Sequence, residues 1–140
     1  MNNQCEVCVI GSGAVGKATA LALAQAGLQV VLLAPSGPVL PAPGHTEEVE
    51  WDSRVYALNH VARSLLSSLK VWGAMDTSRI AAVDAMAVHG DASDGPGHLG
   101  FDAYGARVDA LAWIVEDRNL NEALDPALRF ASGLRMINAA

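Results

Sequence analysis

Val7-Cys8-Val9-Ile10-Gly11-Ser12-Gly13-Ala14-Val15-Gly16-Lys17-Ala18 decides the fold. Four apolar residues run into Gly-x-Gly-x-x-Gly, and an Ala/Leu-rich stretch follows. The first piece reads as a buried strand and Lys17–Ala26 as a helix that Gly27 stops. Gln29-Val30-Val31-Leu32-Leu33 reads as a second buried strand. Strand, glycine turn, helix and strand make a βαβ unit, which is the context the glycine motif needs to signify dinucleotide binding. Gly11 permits the tight turn out of the strand. Gly13, without a Cβ, lets a pyrophosphate approach the backbone. Gly16, with small Ala20 one turn later, lets the helix pack closely on the strands. Phosphates then sit at a helix N-terminus, where N–H groups and the helix dipole favour negative charge.

The residues leave the dinucleotide open. The fingerprint expects an acid at the end of the second strand to hold a ribose hydroxyl. That position is Ala34, followed by Pro35, and Glu47, Glu48 and Glu50 lie beyond a Pro/Gly-rich loop from Pro35 to Pro43. No arginine stands there to meet a 2′-phosphate. Glu47–Glu50 reads as a solvated acidic face.

With 140 residues, 51% hydrophobic and 17% charged, the chain suits one globular α/β domain with a real core. A net charge of −6 without a Lys/Arg cluster argues against nucleic acid as a partner. No apolar run reaches the ~20 residues of a membrane span. No basic region and signal core open the chain, so a cytoplasmic location is expected. Cys5 and Cys8 form a C-x-x-C, but their place on or beside the first strand predicts two buried structural thiols rather than a redox pair. His45, His60, His89 and His98 lack zinc-type spacing, so no metal site is expected.

Asn59 is a plausible N-cap for a helix carrying Ala62, Leu65, Leu66, Leu69 and Trp72 as one apolar stripe, ending near Val71-Trp72-Gly73. Met86–Asp91 and Leu99–Ala103 read as strands of a β-hairpin across the turn-rich Ala92–Gly97. Leu111–Val115 is a further apolar segment, strand or turn. Arg118–Leu128 reads as a helix with Pro126 near its end, and Leu134–Ile137 as a last short strand. Arg54, in an apolar neighbourhood, reads on its own as a surface arginine.

The order of these features resembles the N-terminal part of the ubiquinone-biosynthesis hydroxylases, class A FAD-dependent aromatic monooxygenases with a fold similar to p-hydroxybenzoate hydroxylase. The resemblance is carried by Gly11–Gly16, Arg54-Val55-Tyr56-Ala57-Leu58-Asn59, Leu69-Lys70-Val71-Trp72, Phe101-Asp102-Ala103, Trp113-Ile114-Val115-Glu116-Asp117-Arg118-Asn119-Leu120 and Ala123-Leu124. It implies a Rossmann-like FAD-binding domain over residues 1–80 and 108–140, with 81–107 as a hairpin that starts a β-rich substrate domain. Gly11, Gly13, Ala14, Val15 and Gly16 would line the FAD pyrophosphate. Arg54 would reach the FAD near its phosphates and flavin, and Arg118, at the head of a helix, its flavin side. A guanidinium offers phosphate a planar fork of donors.

By the same resemblance, NAD(P)H is the reductant, O2 the co-substrate and a polyprenylated phenol or other small aromatic the substrate. That substrate is compatible with peripheral association at the inner membrane face and with a place in a quinone-biosynthesis complex. No acid, base or nucleophile in this stretch is required, so no catalytic residue is assigned. Two features depart from the family. Ala34 replaces its usual Glu, a loss worth about 1–3 kcal/mol where a site is built around that hydrogen bond. The family's later Asp-Gly and Gly-Asp motifs are also absent by Ala140, so an N-terminal fragment is expected. Two rival readings stay open: an NAD(P)-dependent dehydrogenase, and a non-catalytic FAD-binding relative.

Overall fold

A computed structural model describes residues 5–35, 51–90 and 97–139. The chain begins with strand β1 (Val7–Ile10), helix α1 (Ala14–Gln25) and strand β2 (Val30–Pro35). It continues through β3 (Val55–Leu58), α2 (His60–Ser68), β4 (Ile80–Val83), β5 (Ala85–His89), β6 (His98–Asp102), α3 (Ala103–Ala106), β7 (Ala112–Glu116), α4 (Asp117–Phe130) and β8 (Leu134–Ala139). Pro35 ends β2, whereas the rest of the expected loop Pro35–Pro43, the Glu47–Glu50 cluster and most of the hairpin turn lie outside the described residues.

The opening unit forms as its sequence predicts. β1 and β2 are parallel, with Val7 opposite Val30 and Ile10 opposite Leu33, and α1 is the crossover. Gly27 follows α1 at φ +92°, a left-handed conformation that glycine adopts without steric cost. β8 joins the other side of β2, also parallel, giving the order β1-β2-β8. The carboxyl ends of all three strands therefore share one edge, where α/β sheets bind their ligands.

A second sheet is antiparallel, with β7 between β3 and β4. β4 had no counterpart among the expected strands. The ambiguous Leu111–Val115 segment is strand β7, and it runs straight into α4. α1 and α4 pack together beneath the parallel sheet through small and branched side chains. Ala20, Leu21 and Ala24 meet a cluster that includes Leu120, Leu124, Leu128, Val30 and Leu32. Each fully buried leucine in that cluster contributes about 1.5–3 kcal/mol.

Three expectations need correction. Cys5 and Cys8 are exposed, not buried. β1 lies at the edge of its sheet, and the face bearing Cys8 and Ile10 is uncovered by the described residues, with Ile10 81% exposed. β1 is therefore only half buried, through Val7 and Val9. The stripe helix ends at Leu69 rather than near Gly73. Lys70 takes φ 63°, and the backbone N–H groups of Lys70 and Val71 close back onto the carbonyls of Ser67 and Leu66. These two bonds are the 5→2 and 6→1 closures of a Schellman stop. Asn59 does cap this helix, accepting the Ala62 N–H at 2.9 Å.

β5 and β6 form a separate two-stranded antiparallel hairpin. Met86 opposes Phe101 and Val88 opposes Leu99. Two-residue spacing puts these four on one face, and all four are exposed.

Candidate cofactor site

The turn between β1 and α1 is held by backbone. Gly11 sits at φ +112°, a conformation that excludes most side chains, and its N–H donates to the Leu33 carbonyl at 2.9 Å. A Cβ on Gly16 would lie 1.9 Å from the Gly11 carbonyl oxygen. Gly16 is thus required by the turn itself, a closer constraint than the helix–strand packing expected of it. Gly13 differs: a Cβ there would meet no described atom within 4 Å. Among the described residues, the fold does not need Gly13 to be small.

Gly13 is also the N-cap of α1, with no side-chain cap and no acid in the first turn. The first N–H groups of this 12-residue helix thus meet no carboxylate there that would compete with an anion. Ala14 is buried and can offer a ligand only backbone, whereas Val15 is 80% exposed at the mouth of the turn. These features fit a dinucleotide pyrophosphate. Ala34 is buried at the end of β2, in register with Asn138 of β8.

The structure brings Arg54 and Arg118 together through a residue that sequence reasoning did not single out. Asp52 accepts the Arg54 backbone N–H on Oδ1 at 3.0 Å and the Arg118 backbone N–H on Oδ2 at 3.0 Å. Those bonds, with the two nearby guanidiniums, hold the Asp52 carboxyl below the usual carboxylate range. The Asp117 N–H closes the same junction by donating to the Arg54 carbonyl at 2.9 Å. Arg54 is exposed, with its guanidinium 6.0 Å from the Tyr56 ring, and Arg118 is half-buried.

Behind Asp52 stands an ion pair whose carboxylate is buried. The Asp52 N–H donates to Glu116 Oε1 at 2.8 Å. Glu116 is almost fully buried and is gripped by both Nε and Nη2 of Arg79. The Arg79 hydrogen bond is the main cause of a lowered Glu116 pKa. Arg79 in turn lies 4.5 Å from the Trp51 ring centroid. A recess of about 140 Å³ opens between Trp51, Asp52, Arg79 and Glu116. It is smaller than the ~300–1,000 Å³ of ordinary ligand pockets, so it is not a preformed flavin cavity.

A polar chain joins this junction to the glycine turn. Lys17, in the first turn of α1, donates to Asn121 Oδ1 at 2.8 Å and pairs with Asp125 at 2.5 Å. Asn121 donates to Asp117 Oδ1 at 3.0 Å, and the Tyr56 hydroxyl donates to the same oxygen at 2.7 Å. The bond to Asp117 pushes the Tyr56 ionisation above its ordinary value. The helix leaving the glycine turn is therefore tied to α4, which carries Arg118 in its first turn, and to the strand that follows Arg54.

Comparison with known proteins gives this geometry its class. The p-nitrophenol 4-monooxygenase PnpA of Pseudomonas putida superposes with a TM-score of 0.62 at 23% identity, over 94% of this chain and 31% of that one. The flavin-dependent monooxygenase PieE, solved with FAD and substrate, gives 0.57 at 15% identity, over 98% of this chain and 24% of that one. The fold is the mixed α/β fold of flavin-dependent monooxygenases. No protein-family model matches the chain. In sequence, it is 32% identical over 127 residues to the 3-demethoxyubiquinol 3-hydroxylase of Escherichia coli, covering 91% of this chain and 31% of that protein. The sequence match supports a ubiquinone hydroxylase-like family for this chain, which spans about a third of the length of the relatives it matches.

Proposed function

We propose that this chain supplies the FAD-binding part of a flavin-dependent aromatic hydroxylase. The observation that carries the reading is the joining of two features by one hydrogen-bonded framework. One is an uncapped glycine turn at the carboxyl edge of a parallel sheet. The other is a junction that holds two arginines. The Gly11, Gly13, Ala14, Val15 and Gly16 backbone would receive the pyrophosphate, and Arg54 and Arg118 would bind along the cofactor with charge-assisted hydrogen bonds. Bound FAD would supply the redox chemistry, taking two electrons from NAD(P)H and delivering one oxygen atom of O2 to the aromatic ring while the other leaves as water. The chain's own residues bind and orient it.

The reading extends to domains: 1–80 and 108–140 would make the Rossmann-like cofactor domain, and 81–107 would begin the substrate domain. The curated relative is named for a ubiquinol-type substrate, which supports a polyprenylated phenol here and access to it from a membrane face. Among the described residues, no helix is long and apolar enough to cross a membrane.

Purification of the full-length protein tests this. Bound FAD, together with NAD(P)H oxidation and O2 uptake stimulated by a prenylated phenol, is the expected result. A colourless protein that binds NAD(P) tightly would instead favour the dehydrogenase. FAD binding without turnover would favour the non-catalytic relative.

A further inference from the structure

We infer that Asp52 is the positioning residue of this site, and that it acts on the cofactor through Arg54 and Arg118 rather than by touching it. The inference rests on the FAD reading above. One carboxylate accepts the backbone N–H of both arginines, one on each oxygen, at 3.0 Å. Those arginines belong to different elements, one entering β3 and the other in the first turn of α4. Asp52 is itself fixed from behind, because its own N–H donates to Glu116, which Arg79 holds in place. A two-bonded, part-buried pair thus sets Asp52, and Asp52 sets the separation of two arginine backbones. The Arg54 carbonyl accepting the Asp117 N–H completes the clamp. Guanidiniums with fixed roots lose less freedom on gripping a polyanion than two independent surface arginines would.

The test is a double-mutant cycle on the full-length protein, with FAD affinity read by flavin fluorescence. Asp52→Asn leaves one good acceptor oxygen and turns an NH2 group toward the other N–H. It is expected to weaken FAD binding about tenfold. In an Arg54→Gln background, half of what Asp52 positions is gone, and the same change should cost no more than about threefold. A purely structural role would lower the melting temperature and weaken FAD equally in both backgrounds. Equal costs, or unchanged affinity in Asp52→Asn, overturn the inference while the FAD reading stands. A wild-type protein that binds no FAD overturns both. If Asp52→Asn does not fold, Asp52→Ser takes its place in the cycle, judged by the same two outcomes.

Discussion

Gly13 and Gly16, three residues apart in one turn, illustrate how fold and ligand make separate demands on single residues. A Cβ at Gly16 would strike the Gly11 carbonyl, a backbone atom that cannot swing aside. Gly16→Ala should therefore destabilise the protein by about 3 kcal/mol, the upper end of overpacking costs. Gly13 has an ordinary extended conformation, φ −74° and ψ 173°, and space around it. Gly13→Ala should leave stability within about 1 kcal/mol, since reduced unfolded-state freedom offsets a weaker N-cap. It should still weaken FAD binding at least tenfold, if a phosphate occupies that space. Urea melts and FAD titrations of the two variants separate the roles, and a Gly13→Ala protein with undiminished FAD affinity would remove the pyrophosphate from this turn. The carboxylates make a third residue-scale prediction. Asp52 and Glu116 hold their protons more weakly folded than unfolded, so the unfolded chain binds more protons on acidification. Their stabilisation is fully present above the ordinary carboxylate value of about 4 and is lost as pH falls through their lowered native values. Glu116→Gln should flatten that acid limb in a pH series of thermal melts.

Helix α2 shows most directly what an element's ends contribute. Its start is capped by Asn59, and its stop is a lysine in a left-handed conformation that glycine adopts more easily. Asn59→Ala should cost about 1 kcal/mol. Lys70→Gly should stabilise by up to about 1 kcal/mol, because the strain at φ 63° is relieved while the Val71–Leu66 closure remains. Denaturant midpoints decide both, and a destabilised Lys70→Gly would mean that the lysine side chain makes up for its own strain. The N-cap was legible because it is local: an Asn directly before an apolar stripe. The stop was not, because Gly73 advertised an end that tertiary burial of Val71 had already imposed at Lys70. β4 escaped notice for a related reason. Ile80-Ala81-Ala82-Val83 has no alternating pattern and becomes a strand only by pairing with β7. The site divides the same way. The glycine turn and the two arginines could be found from short motifs, whereas the Arg79–Glu116 pair joins residues 37 apart with no local mark. Asp52 lay between: an Asp two residues before Arg54 suggests a local turn, but its second bond, to the Arg118 N–H, exists only in three dimensions.

At the scale of the whole chain, two surfaces expose what a core would normally cover. Among the described residues, nothing covers Ile10 and Val15 along the β1 edge and the glycine turn. The β5–β6 hairpin presents Met86, Val88, Leu99 and Phe101 on one face, each close to half exposed. A two-stranded hairpin has two open edges, and apolar open edges are templates for pairing with other chains. The buried half of the molecule is well made: the cluster running from Leu21 through Leu32 and Leu124 to Val115 is continuous. Instability should therefore appear as self-association before it appears as loss of the parallel sheet. As an isolated polypeptide, residues 1–140 should bind a hydrophobic dye and sediment as concentration-dependent oligomers while keeping mixed α/β circular dichroism. Phe101→Lys, which places a charge opposite Met86 on the exposed face, should reduce both effects. Its melting midpoint should move by no more than a surface substitution, about 0.5 kcal/mol. An isolated chain that is monomeric, dye-free and sharply two-state on melting would show that these faces are too small to drive association. Oligomers that persist unchanged in Phe101→Lys would locate the sticky surface at the β1 edge instead, and Ile10→Lys would then be the variant that disperses them.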